Sequence, residues 1–559
     1  AQAQGNTFLT TKTQDAITFL ELITSEYDVA TANPPYTDSA NFGPEIKTFV
    51  EDNYKKPYKF HTNLYATFIK VCDNLIGVNG KVAMVHPLTF MYIKTFEGVR
   101  EYVLNKYHIN VLVEAGMGGV FPQHIFVDPV FYVLEKGAKN TPSLFISLNQ
   151  YSNTYKQNQK KDFMLEAVSD YIENIENQHN YPIDQNCLSS IKSSPFIYWI
   201  SNDFRKKFGA SDIKSILSPA QGAATTNNLR FLKFWWEVGD NSISQDYHSD
   251  GKKWVFYSKG GPYEKWYGNL WLVLNYENNA SVLKAAGAVL RNSEFYFTKG
   301  VTYSASGAKG PSFRLLPENC VFDTGGSCIF ANKKFKNTEY LLGFMNSKLV
   351  AYIVNCLNPT VNAQVGDMQR VPFVLPSKQK EEEVTSIVSV AINIKNYLAK
   401  NHIIERNSII KTFIDRKSIR DYMSLENFLE SQVVVCEAII NENIFEVYNL
   451  TEHDKAMVLT KEGKSIGGLP VSPEARDAYL ADTESTKEFP LDAIREYIEA
   501  LPTKEFTAEE REAIESGFGS LYQSNNDLEE FCIRHQVNPI NVWYWFKQSN
   551  VIPQQRMQT

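Results

Sequence analysis

Four consecutive residues, Asn33-Pro34-Pro35-Tyr36, carry the clearest chemical signal in this chain. They follow Tyr27-Asp28-Val29-Ala30-Thr31-Ala32, which reads as a short buried strand. Prolines lack a backbone donor and fix φ, so the strand must end where they begin and the chain must leave it in a rigid turn. In open α/β sheets, ligands bind beyond the carboxyl ends of the strands. The amide of Asn33 is therefore held in one place, where it can hydrogen-bond a ligand. The tetrapeptide alone is equally an ordinary surface turn, and the elements behind it favour a site. Residues 62–76 read as a helix, 81–86 as a buried strand, 95–107 as a second helix, and 109–114 and 127–135 as two further strands.

The motif and its succession of elements resemble the DNA N6-adenine methyltransferases. The resemblance implies that residues 1–150 are the second half of a Rossmann-like methyltransferase sheet, and it gives each residue type a role. The adenine N6 lone pair is delocalised into the ring, which makes the amine a poor nucleophile. If the Asn33 side-chain oxygen and the Pro34 carbonyl accept its two hydrogens, density returns to nitrogen, which attacks the methyl of S-adenosylmethionine without a charged base. Pro35 completes the rigid turn. Tyr36 would stack on a target adenine flipped from the duplex, and stacking worth about 1–3 kcal/mol offsets much of an extrusion cost on the order of a few kcal/mol. The resemblance also points to Phe121, in Gly118-Gly119-Val120-Phe121-Pro122, for the opposite face of that base. A lone Phe beside a strand is otherwise a core residue. Asp15, with Asn33, is the candidate for touching the cofactor; an exposed Asp at a helix start is the plain alternative.

The run Val111-Leu112-Val113-Glu114-Ala115-Gly116-Met117-Gly118-Gly119 imitates a cofactor-binding strand and glycine loop. Such a loop must open a helix so that backbone N–H groups face the ligand. Here Pro122 and the β-rich residues 125–134 follow, which argues against it. The 32 residues before Asn33 hold no other loop of that kind. The cofactor-loop half of the domain is thus expected outside this chain, leaving an apolar strand edge open. On that reading the chain is the C-terminal part of the enzyme, binds S-adenosylmethionine poorly and is inactive alone.

The 559 residues suggest about three or four domains. With 43% hydrophobic and 13% aromatic residues there is ample material for folded cores. A net charge of -7 excludes a wholesale basic coat but not local basic patches that hold phosphates. The seven cysteines are scattered without CxxC pairs or nearby His, so they read as buried reduced thiols and no metal site is expected. No charged-then-apolar leader opens the chain and no apolar stretch is long enough to span a bilayer, so a soluble cytoplasmic protein without a membrane partner is expected.

Beyond residue 150 the texture turns aromatic and rich in Gly and Asn. Its phrases include Gln221-Gly222, Thr226-Asn227-Asn228-Leu229-Arg230-Phe231, Lys259-Gly260-Gly261, Lys265-Trp266-Tyr267-Gly268, Leu290-Arg291-Asn292, Asn346-Ser347-Lys348, Asn358-Pro359-Thr360-Val361-Asn362 and Gln364-Val365-Gly366-Asp367. With the first 150 residues these resemble the PglX family, the adenine methyltransferases of BREX phage-defence systems, and more distantly the fused restriction-modification enzymes. The resemblance implies an α+β target-recognition region at 151–376 that selects a site on double-stranded DNA for self-marking, with other BREX defence proteins as partners. Arg230, Lys233, Lys259, Lys265 and Arg291 are candidate DNA contacts, because Lys and Arg position phosphates and Arg reads base edges. Solvated surface charge or structural ion pairing is the competing reading for each. Trp235, Trp236 and Trp266 read as core.

Residues 377–559 read as a helical spacer and helical C-terminal domain, with an apolar stripe through Val384, Ile387, Val390 and Ile392 and a capping box from Thr507 to Glu510. Residues 528–535 and 540–548 outline a helix-turn-helix, although helix pairs are common without DNA. Two alternatives to the methyltransferase stand: a restriction-modification subunit with its nuclease elsewhere, and a non-catalytic DNA-recognition scaffold.

Overall fold

The computed structural model describes residues 7–121, 127–137, 139–152, 157–209, 211–304, 311–358, 363–400, 402, 404–406, 419–463, 465–485, 492–523 and 527–549. Pro122, the first two of the β-rich residues 125–134 and the phrase from Pro359 to Asn362 lie outside them. Two compact units result, Ala1–Gly209 and Ala210–Thr559.

The first unit runs α1 (Thr7–Thr24), β1 (Tyr27–Ala32), α2 (Pro44–Tyr54), α3 (Leu64–Leu75), β2 (Ile76–Pro87), α4 (Glu97–Lys106), β3 (Tyr107–Glu114), β4 (Pro129–Lys136), β5 (Ser143–Ser147), α5 (Gln157–Ile172) and β6 (Asn180–Ile183). The expected succession of helices and strands from 62 to 135 is present. The strands form one mixed, Rossmann-like sheet in the order β1-β2-β4-β3-β5-β6. β1 is parallel to β2, β4 is antiparallel to both β2 and β3, and β3 is parallel to β5. It follows that β1, β2, β3 and β5 all end on one edge of the sheet, where β4 begins.

The helices form where the sequence caps and patterns them. Asn63 caps α3 by accepting from the Tyr65 N–H at 3.2 Å. Tyr65, Ala66, Ile69 and Cys72 then share one face and enter a core with Val82 and Met84 of β2, Val99 and Val103 of α4, and Tyr132 and Leu134 of β4. Burying each large apolar side chain there stabilises the fold by about 1.5–3 kcal/mol. α5 covers part of the other face, against Val113, Leu144 and Ile146.

Residues 27–32 do form a strand, but not the buried one their apolar letters suggest. β1 is an edge strand, with Tyr27 and Val29 37% and 53% exposed. The preceding helix α1 likewise presents Ile17, Phe19, Leu20, Leu22 and Ile23 to solvent. Apolar character reports that a surface is meant to be covered, not what covers it.

The second unit carries two four-stranded sheets. One orders Cys320–Phe322, Trp254–Ser258, Leu272–Asn275 and Leu232–Phe234; the other orders Phe313–Leu316, Gly300–Tyr303, Cys328–Phe330 and Ser218–Ala220. The helix Lys378–Ala399 forms as its stripe predicts, yet it packs within this unit instead of standing free as a spacer. Its Lys395 is held by Glu264 and Glu430 at 2.8 and 3.0 Å. The Thr507–Glu510 capping box is present. Helices Leu528–His535 and Pro539–Gln548 also form, and the second buries Ile540, Asn541, Trp543, Trp545 and Phe546 in the core while Lys547 and Gln548 stay exposed. No single described helix is long and apolar enough to cross a membrane. All seven cysteines are free thiols, six of them buried.

Candidate active site

The strand β1 ends at Ala32 and delivers Asn33 to the sheet edge where the parallel strands terminate. Pro34 is buried and Tyr36 half-buried, while Asn33 and Pro35 remain exposed. The prolines thus anchor the turn and leave the amide outside the core. The Tyr36 hydroxyl donates to the Asn33 Oδ1 at 2.9 Å. Burial raises the Tyr36 pKa, so this hydroxyl stays a donor at neutral pH. The acceptor oxygen is therefore oriented before any ligand arrives.

The chain beyond the motif is tied down at the cap of α3. The Asn63 Nδ2 donates to Asp38 at 2.7 Å, and the Leu64 N–H donates to the Thr37 carbonyl at 3.0 Å. Asp38 and Asn63 were not singled out in the sequence; an Asn opening an amphipathic helix was the available signal. Asn33 also lines a cleft of about 490 Å³ that runs along the sheet past Thr31, Ala83, Val113, Phe131 and Met164. That volume is in the range of small-molecule sites.

The second candidate loop leaves the same edge. β3 ends at Glu114, and the chain passes Gly116, Gly118 and Gly119, all at positive φ (68, 76 and 73°), to reach Phe121, which is half-buried. A Cβ on Gly116 would meet the Ser152 Oγ at 2.6 Å, so only glycine fits. No helix opens on residues 115–121. The buried Glu114 carboxylate accepts from the Tyr92 and Tyr198 hydroxyls and from the Asn149 amide, a network invisible to local pattern. Next to it, His86 is fully buried, bonded to Tyr132 and stacked on Tyr65 at 4.5 Å. Burial holds its pKa down at about 4, so it is neutral.

Asp15 sits within α1, exposed to solvent. Among the basic candidates, Arg230 and Arg291 are exposed, Arg230 lying over the Phe231 ring at 4.9 Å. Lys233 is half-buried in a sheet strand, and Lys259 is half-buried 3.5 Å from Asp323. A short antiparallel pairing of Ala223 and Ala224 with Leu290 and Val289, plus an Asn292-to-Gln221 bond of 2.8 Å, brings the loop before Arg230 beside Arg291. Lys265 differs: it is largely buried and bonds Glu437 at 2.8 Å, with the Trp266 indole on the same carboxylate. The cost of burying two charges is met only by keeping them paired, so Lys265 ties the loop before Trp266 to the helix Ile419–Val447 and is held by that pair. Trp266 is core as expected, whereas Trp236 is 46% exposed and stacks on Phe234. Among the described residues no group of His, Cys, Asp and Glu is arranged to hold a metal.

Residues 3–121 match the family model described as Eco57I restriction-modification methylase. The chain is 25% identical over 454 residues to the adenine-specific methyltransferase BrxX of Escherichia coli O9:H4 (strain HS), covering 76% of this chain and 34% of that protein. It is 26% identical over 391 residues to the adenine-specific methyltransferase PglX of Lacticaseibacillus casei (strain Zhang), covering 66% and 31%. This PglX-like chain therefore spans about a third of the length of the curated relatives it matches. Among solved structures, the Type IIL restriction-modification enzyme MmeI in complex with DNA aligns with a TM-score of 0.46 at 10% identity, over 78% of this chain and 56% of that one.

Proposed function

We propose that this chain is the target-base half of a site-specific DNA N6-adenine methyltransferase that marks host DNA in phage defence. The observation that carries the reading is Asn33: an amide oxygen at the end of β1, directly before two prolines, that accepts from the Tyr36 hydroxyl. In this reading a flipped adenine presents its amine to the Asn33 Oδ1 and the Pro34 carbonyl, which accept its two hydrogens and restore nucleophilicity to nitrogen. Tyr36 and Phe121 stack on the two faces of the base. S-adenosylmethionine, when bound, supplies the electrophilic methyl. Asn33 and Asp15 fit only polar contacts to that cofactor, since both are exposed while the adjoining cleft is walled mainly by apolar residues. The exposed edge of β1 and the apolar face of α1 suit a further strand and helix carrying the cofactor loop, so residues 1–559 alone bind the cofactor poorly and are inactive.

In the recognition region Arg230, Arg291, Lys233 and Lys259 are the proposed contacts to double-stranded DNA, and Lys265 is left to its structural pair. The protein acts in the cytoplasm, with other BREX defence proteins as partners.

The test is methyl transfer to duplex DNA by the complete enzyme, with nucleoside digestion and mass spectrometry. N6-methyladenine is the expected product, and this chain alone is expected to give none. DNA nicking in Mg²⁺ without methylation would favour a restriction subunit; site-specific DNA binding with neither activity would favour a scaffold.

Tyr36 separates two roles. Tyr36→Phe keeps the ring and frees the Asn33 oxygen for the amine, so kcat/KM is expected to stay within about ten-fold of the native value. Tyr36→Ala loses stacking worth about 1–3 kcal/mol, a fall of about 5- to 150-fold, read by steady-state methylation kinetics.

A further inference from the structure

A lysine ammonium sits where the glycine loop leaves β3. Lys160, on α5, is 3% exposed. Its Nζ donates to the carbonyls of Ala115 (2.8 Å), Gly116 (3.1 Å), Met117 (3.2 Å) and Gly118 (2.7 Å). Four successive main-chain oxygens thus converge on one cation, as they would around a metal ion. Such convergence needs a curled backbone, and the left-handed glycines at 116 and 118 supply it. The charge has little else to sustain it: Asp128 lies near enough to favour it, yet burial still lowers the Lys160 pKa. Burying a cation is costly unless its donors are hydrogen-bonded, and these peptide oxygens meet that need.

What the loop carries is Phe121, three residues beyond the last bonded carbonyl. Carbonyls 115–118 have left the ladder of β3, and without Lys160 they would turn to water and take the loop with them. Glu114 fixes the base of the loop through Tyr92, Tyr198 and Asn149; Lys160 fixes its curve. We infer that Lys160 is a positioning residue that pins the Ala115–Gly118 backbone so that Phe121 stands ready against the target base. The inference rests on the methyltransferase reading given above.

Amide hydrogen exchange on the full chain tests the pin without reference to catalysis. Lys160→Met is expected to speed exchange over residues 115–121 by about ten-fold or more while β2 and β3 keep their protection, and Lys160→Arg, which retains charge and donors, to restore it. If the Met variant loses protection throughout, Lys160→Gln, which is uncharged and offers only two amide donors to the four carbonyls, takes its place, with the same local rise in exchange expected over residues 115–121. In the complete enzyme Lys160→Met is expected to lower kcat about 100-fold with KM for DNA little changed. Because Lys160 acts through Phe121, the double variant with Phe121→Ala should be no slower than the worse single variant. Unchanged exchange in Lys160→Met, or effects of the two substitutions that multiply, would overturn the proposal. A complete enzyme that leaves adenine unmethylated in every form overturns the methyltransferase reading, and Phe121's part here with it; the exchange results tell that failure from a failure of the pin.

Discussion

Replacing Asn33 by alanine in the complete enzyme is expected to cut kcat for N6-methylation by about 100- to 1,000-fold, with DNA affinity within about two-fold of the native value. The reasoning is electrostatic. An adenine amine becomes a nucleophile only when its hydrogens are held by oxygens already in place, because reorienting water would itself cost part of the barrier. In the proposed function Asn33 would supply one such oxygen, which accepts from the Tyr36 hydroxyl at 2.9 Å, and the Pro34 peptide the other. Alanine removes the first acceptor and leaves the turn intact, since Pro34 is buried independently of the amide. On the proposed reading DNA affinity is set elsewhere, by the exposed cations Arg230 and Arg291. Radiolabelled methyl transfer under saturating DNA, beside a gel-shift titration, separates the two quantities. Undiminished methylation would remove Asn33 from the chemistry, and equal loss of binding would make it a structural residue.

The turn at the candidate site and the elements around it were legible where their physics is local. Asn33-Pro34-Pro35-Tyr36 announces itself because prolines end a strand wherever they occur, and the placement of β2, α4, β3 and β4 follows from period and breaker residues alone. Contacts between distant residues were not legible. Glu114 reads as one more letter at a strand end, yet its carboxylate gathers side chains from residues 92, 149 and 198. Lys160 reads as a surface charge in a basic pair, and only the return of α5 onto the sheet shows four carbonyls waiting for it. Lys265 errs in the opposite direction: a lysine in an aromatic, glycine-rich phrase looks like a phosphate contact until Glu437, 172 residues away, is brought to 2.8 Å. Charge is the least local property in a sequence, because a partner can lie anywhere in the chain.

The same rule gives the largest expected loss of stability in the first unit, at Asp73. This carboxylate is 5% exposed and accepts from the Tyr102 and Tyr107 hydroxyls, each at 2.5 Å, and from Lys70 at 2.5 Å, with Lys136 at 3.4 Å. Burial pushes its pKa up, but the bonds from Lys70, Tyr102 and Tyr107 outweigh that and hold it at about 2, below the ordinary 3.8. Asp73→Ala removes the one acceptor shared by the Tyr102 and Tyr107 hydroxyls and the carboxylate that pairs with Lys70 and Lys136, and is expected to destabilise the unit by about 3–5 kcal/mol, a large share of a domain's total. Part of that is linked to protons. A carboxylate with a depressed native pKa contributes stability that is fully present above about pH 4 and is lost as pH falls through about 2, here about 2 kcal/mol. Urea unfolding followed by exchange within residues 64–136 should therefore show a wide gap between native and Asp73→Ala chains at pH 7 that narrows toward pH 2. A gap that holds constant across that window would mean that the hydroxyl contacts alone matter and that the charge on Asp73 contributes nothing.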